Sequence, residues 1–205
     1  LLATTLTAPS EDLVKAFEAL ANVMQTQQPG KTFGARILGV HLEGPYISPD
    51  KLGAQLAFAA LPSADAILAL HAIAPLCVVT LAPELPGALD VIGALVAAGI
   101  GVQLGHSAAD YDTACVALQR GAAGFTHLFN AMSPLHQRAP GVTGAALAHA
   151  EQAEIIPDLL HVHPGAIRAA LRAIPGLYCV TDSTAAAAMP DGDYTLGRHR
   201  VRKCL

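Results

Sequence analysis

The chain contains no tryptophan, few aromatic residues (4%) and few charged residues (14%). Hydrophobic residues make up 53% of its 205 positions. This balance excludes a disordered polar tract and predicts a large buried core. The length suits a single domain, and the 18 glycines and many alanines suit helices packed closely against a buried sheet. We therefore expect one domain over residues 1–205.

The sequence also has no cluster of lysine and arginine, and its formal net charge is −4. Because nothing in it would bind a phosphate backbone, we expect no nucleic-acid partner. The longest strongly apolar run, Val91 to Val102, is far shorter than the roughly 20 residues of a spanning helix, and the basic start of a signal peptide is missing. We expect no membrane partner, a cytoplasmic location and a small-molecule substrate.

Two other kinds of site are not indicated. The four cysteines are widely scattered and form no C-x-x-C pair, which argues against a zinc knuckle or a disulfide framework. Glycine-rich stretches such as Gly121 to Gly124 lack G-x-G-x-x-G or Walker spacing. We therefore interpret the cysteines as buried or incidental thiols and predict no nucleotide loop.

What the sequence does contain is a repeated alternation of strand-like and helix-like segments. The predicted strands cover residues 1–7, 36–42, 77–82, 101–104, 124–127, 154–160 and 178–181. The predicted helices cover residues 9–24, 63–70, 88–98 and 110–120, with a further one starting at Pro164. Residues 191–194 indicate a turn leading into another strand. Repeated β-then-α order predicts a parallel sheet with right-handed crossovers, so we predict an α/β fold, a TIM-type (β/α)8 barrel with about seven of eight strands present.

Four chemically important residues follow these strands where each one ends: Glu43, His106, His127 and Asp182. The carboxyl ends of parallel barrel strands meet at one rim, so the four side chains should lie close together. One carboxylate and two imidazoles can hold a divalent transition metal and leave a position open for water. A second carboxylate can move that water's proton.

Each of these residues also has a simpler interpretation. A lone histidine is more often a hydrogen-bonded structural residue than a ligand. Glu43 could cap a loop, and Asp182 could cap the following helix. The joint placement at successive strand ends favours the metal site. His41 and Glu84 also lie near strand ends, and we expect them to support the site by orienting its ligands.

Several segments resemble a known enzyme family. They are HLEGPYIS, TLAPE, LGHSAADY, GFTHLFNAMSPLHQRAPGVTGAAL, HVHP and VTDSTAAAAMPDGDYTLG. Together they resemble the N-acetylglucosamine-6-phosphate deacetylases of the amidohydrolase superfamily. The motif HLFNAMSPLHQRAPG is long and unusual in composition, so its specificity is high, whereas GHS or HLEGP alone would be weak.

The resemblance implies a metal-dependent deacetylase of N-acetylglucosamine 6-phosphate in amino-sugar catabolism. It assigns Glu43, His106 and His127 to a divalent metal, with zinc expected first and iron, manganese or cobalt as alternatives. It makes Asp182 the acid/base that takes a proton from the attacking water and returns it to the departing amine. It also implies five substrate-binding residues: Gln55, Asn130, Ala131, Arg138 for the phosphate, and His161.

The sequence departs from the family pattern at three positions. Gln55 stands where many members have histidine, and it can donate and accept hydrogen bonds but cannot carry charge. Leu159 and Ala188 stand where glycine is usual, so a side chain is present where the backbone could require a positive φ. These departures affect the expected shape of the pocket and the placing of His161.

The resemblance also implies parts that this sequence does not include: a small β-sandwich, a first barrel strand and a closing helical region. We therefore expect the sequence to be a fragment with little activity by itself, and the complete protein to be a homodimer. Two other functions stay open. One is another amidohydrolase activity, on a cyclic amide or a nucleobase amine, and the other is no activity at all, in a truncated remnant.

Overall fold

The computed structural model describes residues 1–27 and 34–204, in which strands and helices alternate. The parallel strands are β1 (Leu2–Thr5), β2 (Gly39–Glu43), β3 (Leu76–Leu81), β4 (Gly101–Leu104), β5 (Gly124–Phe125), β6 (Gln152–Ile155) and β7 (Gly176–Cys179). The helices are α1 (Ser10–Thr26), α2 (Ala64–Ile73), α3 (Ala88–Ala97), α4 (Tyr111–Gln119), α5 (Gly141–His149) and α6 (Pro164–Ala173). A hairpin of β8 (Gly192–Leu196) and β9 (His199–Lys203) follows them.

The seven parallel strands lie in chain order around one interior. Strands β1 to β5 form one sheet, and β6 pairs with β7 in parallel. A hydrogen bond of 2.8 Å from the Leu128 nitrogen to the Glu154 carbonyl links the end of β5 to β6. In the described part of the chain no strand pairing joins β7 back to β1. The predicted incomplete (β/α)8 barrel is therefore confirmed.

Local signals in the sequence fix several helix starts. The Ser63 hydroxyl accepts a hydrogen bond of 3.3 Å from the Ala66 nitrogen, and the Asp110 carboxylate accepts one of 2.8 Å from the Thr113 nitrogen. Each satisfies a backbone donor that has no partner within its helix. Pro164 occupies the first turn of α6, where its missing N–H costs nothing.

Apolar side chains between the strands and the helices form one core. Its largest fully buried members include Phe17, Leu42, Ile67, Leu81, Ile92, Leu95 and Leu104. Burying each such side chain stabilises the fold by roughly 1.5–3 kcal/mol. None of the helices in residues 1–27 and 34–204 has the length and apolar character needed to cross a bilayer.

The differences from the predicted elements include the bounds of two strands and one additional helix. The second strand begins at Gly39 and not at residue 36. The sixth strand is Gln152–Ile155 and not 154–160, because the Asp158 carboxylate accepts hydrogen bonds from the backbone nitrogens of Leu160 and His161 and forms a turn there. Helix α5 was not predicted, since Pro140 and the glycines at its start are typical of a loop.

Residues 191–194 were predicted as a turn before a strand, but residues 192–194 belong to strand β8 itself, which forms an antiparallel hairpin with β9. The turn of the hairpin lies against the start of α1. There Arg198 forms an ion pair of 2.7 Å with Asp12 and lies 5.7 Å above the ring of Phe58. This exposed contact joins residues 186 positions apart.

The barrel interior contains a layer of polar side chains, one from each parallel strand or the residue directly after it. We call this set the polar layer: Thr4, His41, Thr80, Gln103, Thr126, Glu154 and Tyr178. Five of the seven are buried. The other two, Thr4 and Tyr178, are exposed and lie on β1 and β7, the first and last of the parallel strands. Interiors of such barrels are usually filled by branched apolar side chains, so a polar layer requires its own hydrogen bonds.

Candidate metal centre

The structure brings Glu43, His106 and His127 together at the carboxyl ends of their strands. Glu43 is the last residue of β2, and the histidines follow the ends of β4 and β5. Nε2 of His106 lies 3.0 Å from Oε1 of Glu43, and Nε2 of His127 lies 3.5 Å from the same oxygen. The two Nε2 atoms are 3.0 Å apart. All three residues are buried.

This group fits a divalent metal ion. Each residue offers one ligand atom, and these atoms lie within 4.8 Å of one another. Nδ1 of His106 lies 2.8 Å from the carbonyl oxygen of Lys51. Because a carbonyl only accepts, Nδ1 carries the hydrogen and Nε2 keeps its lone pair for a ligand bond. Two imidazoles and one carboxylate are a ligand set of catalytic zinc sites, with a further position left open.

Burial and charge act in opposite directions on these groups. Burial would raise the pKa of Glu43, but the neighbouring imidazoles of His106 and His127 outweigh it and hold that pKa well below its usual value. Burial would lower the pKa of His127, but the contact with Glu43 outweighs it and raises that pKa, with a further contribution from the charge of Asp182. The group therefore favours a charged carboxylate, as metal binding requires.

The backbone is strained at several positions around this rim. Among the described residues, the non-glycine residues with positive φ are His106 (47°), His127 (33°), Phe129 (80°), Ala131 (47°), Leu159 (66°), Asp182 (47°) and Ala188 (57°). Residues other than glycine seldom adopt such φ angles. Backbone strain of this kind clusters at functional sites. Three of the four residues predicted from their strand-end positions are in this set.

The loop after His106 is held by Glu84, which follows β3. Its carboxylate accepts hydrogen bonds of 2.7 Å from the Ser107 hydroxyl and 2.6 Å from the Ala108 nitrogen. Gly105 permits the close approach of this loop, because a Cβ there would lie 2.9 Å from the Cγ2 of Thr80. Glu84 thus lies where the strand-end pattern placed it, on the backbone that presents His106.

Asp182 shares one cavity of about 670 Å³ with two members of the metal group. Glu43, His127 and Asp182 line it, together with Glu154 and Tyr178. Asp182 is exposed and follows the end of β7. Glu154 and Tyr178 were not identified from the sequence as site residues. Their only signal is a polar side chain inside a predicted strand.

Two of the five residues implied to bind substrate lie close to the metal group. Gln55 donates a hydrogen bond of 2.8 Å from Nε2 to Oε1 of Glu43, and its own Oε1 accepts one of 2.7 Å from the Thr7 nitrogen. Asn130 lies on the loop after His127 and donates from Nδ2 to the carbonyl of His127 at 3.1 Å.

The other three have different surroundings. The carbonyl of Ala131 accepts a hydrogen bond of 3.1 Å from the Ser107 nitrogen. Arg138 lines a separate cavity of about 520 Å³, next to Tyr111 at the start of α4. His161 is exposed, with Nδ1 2.7 Å from Oδ2 of Asp158. In the described part of the chain, none of these three lines the cavity of the metal group, and their roles in substrate binding stay predictions.

Comparisons with known proteins agree on one family. No protein-family model matches the sequence. The chain is 45% identical to the N-acetylglucosamine-6-phosphate deacetylase of Rattus norvegicus over 84% of its own length and 45% of that protein. It is 44% identical to the enzyme of the same name from Vibrio furnissii, over 98% of this chain and 50% of that one.

A solved structure gives the same result. A D267A mutant of the N-acetyl-D-glucosamine-6-phosphate deacetylase from Mycobacterium smegmatis, in complex with N-acetyl-D-glucosamine-6-phosphate, superposes with a TM-score of 0.89 at 34% identity. The match covers 98% of this chain and 52% of that one. This chain spans about half the length of the relatives it matches. Over that length, and with the metal group at the carboxyl ends of its barrel strands, the chain is similar in sequence and in structure to N-acetylglucosamine-6-phosphate deacetylases.

Proposed function

We propose that this protein hydrolyses the N-acetyl amide of N-acetylglucosamine 6-phosphate, giving acetate and glucosamine 6-phosphate, in the cytoplasm as a step of amino-sugar catabolism. The observation that supports this most is the buried group of Glu43, His106 and His127, because Glu43 and His127 line one cavity with Asp182. We propose zinc as the metal, with iron, manganese and cobalt as alternatives, because a mixed nitrogen and oxygen ligand set suits these ions.

An amide resists water because its carbonyl is weakly electrophilic and its amine is a poor leaving group. A divalent metal supplies Lewis-acid chemistry, which polarises a carbonyl and favours ionisation of water. Glu43, His106 and His127 hold it, and their burial excludes bulk solvent. Asp182 takes a proton from the attacking water and gives it to the amine nitrogen as the C–N bond breaks. Its exposure on the rim leaves its carboxylate accessible to substrate.

Arg138 is the proposed anchor for the phosphate, because a planar guanidinium binds phosphate with two parallel hydrogen bonds. Its cavity is separate from that of the metal group. Contact therefore requires either that its loop moves or that a second copy of the chain presents it, which fits the proposed homodimer. Gln55, Asn130, Ala131 and His161 are the other proposed substrate-binding residues.

The test combines metal content with acetate release. A His106→Ala, His127→Ala double variant should lose bound metal on dialysis and lose acetate release, since only one ligand remains. The matched control replaces His149 and His199, both exposed, by alanine and should retain both properties. Equal metal in the wild-type protein and the first variant would refute the site. Hydrolysis of a cyclic amide or deamination of a nucleobase releases no acetate. Analysis of the products therefore distinguishes these other amidohydrolase activities from deacetylation.

A further inference from the structure

The polar layer lies beneath the metal group and connects to it. Its hydrogen bonds run without a break from β1 to β6. The successive distances are 3.5 Å (Thr4–His41), 2.7 Å (His41–Thr80), 2.6 Å (Thr80–Thr126), 2.9 Å (Thr126–Gln103), 2.7 Å (Gln103–Tyr178) and 3.1 Å (Tyr178–Glu154). Donor and acceptor chemistry assigns a direction to each of these bonds.

The direction follows from the carboxylate at the end of the chain. A carboxylate only accepts, so the hydroxyl of Tyr178 donates to Oε1 of Glu154. The single proton of Tyr178 is then used, and its oxygen accepts from Nε2 of Gln103. The amide oxygen of Gln103 in turn accepts from the hydroxyl of Thr126.

The same reasoning continues to the other end. Thr126 has donated its only proton, so the hydroxyl of Thr80 must donate to it. Thr80 then accepts from Nε2 of His41, which must carry the ring hydrogen. Nδ1 of His41 is left to accept from the hydroxyl of Thr4. Every bond in the polar layer therefore points toward Glu154.

Glu154 connects this layer to His127. Its Oε2 accepts from the backbone nitrogen of His127 at 3.4 Å, and its backbone carbonyl accepts from the Leu128 nitrogen at 2.8 Å. His127 is the candidate ligand whose backbone has the smallest positive φ of the rim, 33°. A strained residue keeps its conformation only where its surroundings determine it, and Glu154 contacts the backbone at that point.

We propose that Glu154 is a positioning residue for the metal centre. Its carboxylate, oriented by the polar layer, fixes the backbone of His127 so that the imidazole stays directed at Glu43 and His106. This proposal rests on the proposed function, in which these three side chains hold a metal. Glu154 itself does not act as a ligand or contact the reacting atoms.

A purely structural role would not explain the residue type. Glu154 is only 8% exposed, and in the described part of the chain no arginine or lysine forms an ion pair with it. Burying a carboxylate without a cation is costly, and an apolar side chain would fill the interior at lower cost. Tyr178 and the His127 backbone donate to different oxygens of Glu154, and glutamine has an NH₂ group, which cannot accept, in place of one of these oxygens.

The experiment uses the full 205-residue chain and measures its affinity for Zn²⁺ by competition with a chromophoric chelator. The Glu154→Gln variant should bind Zn²⁺ about 10- to 100-fold more weakly, the usual loss when a group orienting a metal ligand is removed. The visible absorption spectrum of the Co²⁺ form should also change, because it reports ligand geometry. The matched control is Glu151→Gln, an exposed residue just before β6, which should leave affinity and spectrum as in the wild type.

Two further results complete the test. If Glu154→Gln does not fold, Tyr178→Phe removes the hydroxyl that orients Glu154, and it should weaken Zn²⁺ binding about tenfold. A folded Glu154→Gln or Tyr178→Phe protein with wild-type affinity and Co²⁺ spectrum would overturn the proposal while leaving the proposed function intact. A wild-type protein that binds no Zn²⁺ would overturn both.

Discussion

The side-chain amide of Gln55 and the carboxylate of Glu43 are joined by a 2.8 Å hydrogen bond, on the same Glu43 oxygen that faces His106. Rotating this amide by 180° would exchange its oxygen and nitrogen and break both of its hydrogen bonds, because its oxygen accepts from the Thr7 nitrogen at 2.7 Å. Gln55 therefore directs an N–H group at Glu43 and links the end of β1 to the metal group.

The first prediction concerns this bond. Replacing Gln55 by leucine should weaken Zn²⁺ binding about tenfold, because Glu43 loses the donor that orients it. Competition with a chelator measures the effect. Gln119→Leu, at an exposed position on α4, is the control and should change nothing. Equal affinities of the two variants would show that Gln55 does not orient Glu43 and would leave it only its predicted role in substrate binding.

The second prediction concerns Asp182. An Asp182→Asn variant should retain metal but lose about 10²- to 10⁴-fold in turnover, because an amide cannot carry the proton from water to the amine. Acetate release measured on the complete protein, beside metal analysis, is the readout. Asp65→Asn, at an exposed position on α2, should behave as wild type. Near-normal turnover by Asp182→Asn would remove Asp182 from the mechanism.

The third prediction concerns Leu159, whose φ of 66° suits glycine. Its side chain is 61% exposed, so its removal loses little packing. Relief of the left-handed conformation is worth about 1–2 kcal/mol, against about 0.5–1 kcal/mol for the greater freedom of glycine in the unfolded chain. Leu159→Gly should therefore raise the free energy of unfolding by up to about 1.5 kcal/mol, measured by urea denaturation.

Leu160 provides the matched control for that substitution. It is 90% exposed and adjacent in sequence, and it is not among the residues with positive φ. Leu160→Gly should lower the free energy of unfolding by about 0.5–1 kcal/mol, because only the entropic cost of glycine applies. If both variants change stability in the same direction, backbone strain at Leu159 does not affect stability.

The fourth prediction concerns pH. Burial, with the nearby charge of Glu154, raises the pKa of Tyr178 from 10.0 to about 12. A raised pKa in the fold means that the protonated phenol contributes stability below pH 10, and that this contribution is lost as the pH rises toward 12. A pH titration monitored by ultraviolet absorption should show one phenol that ionises at higher pH than the others. This component should be absent from Tyr178→Phe and retained in Tyr194→Phe. Retention of the late component in Tyr178→Phe would show that the assignment is wrong.

The sequence predicted the parts of this molecule that depend on local order. Alternating strand and helix signals were sufficient for the barrel, and the carboxyl ends of its strands predicted that Glu43, His106 and His127 would meet. Family resemblance indicated Leu159 as a position where glycine is usual, and the structure shows the positive φ that explains it.

The remaining features depend on contacts between distant residues. The sixth strand was extended too far because the turn at Asp158 depends on hydrogen bonds to backbone groups that the pattern of residue types does not reveal. Glu154 inside a strand gave no sign of its partners Tyr178 and His127. Only the register of seven strands brings such side chains together.

The direction of the hydrogen bonds in the polar layer has a consequence for how related sequences can vary. In an apolar interior, side chains of similar volume replace one another with small losses. In the polar layer each side chain between the two end members, Thr4 and Glu154, donates to one neighbour and accepts from the other, so a change at Thr80 or Gln103 leaves both neighbours unmatched. Substitutions there should occur in compensating sets, and the seven positions should vary together among relatives as one unit.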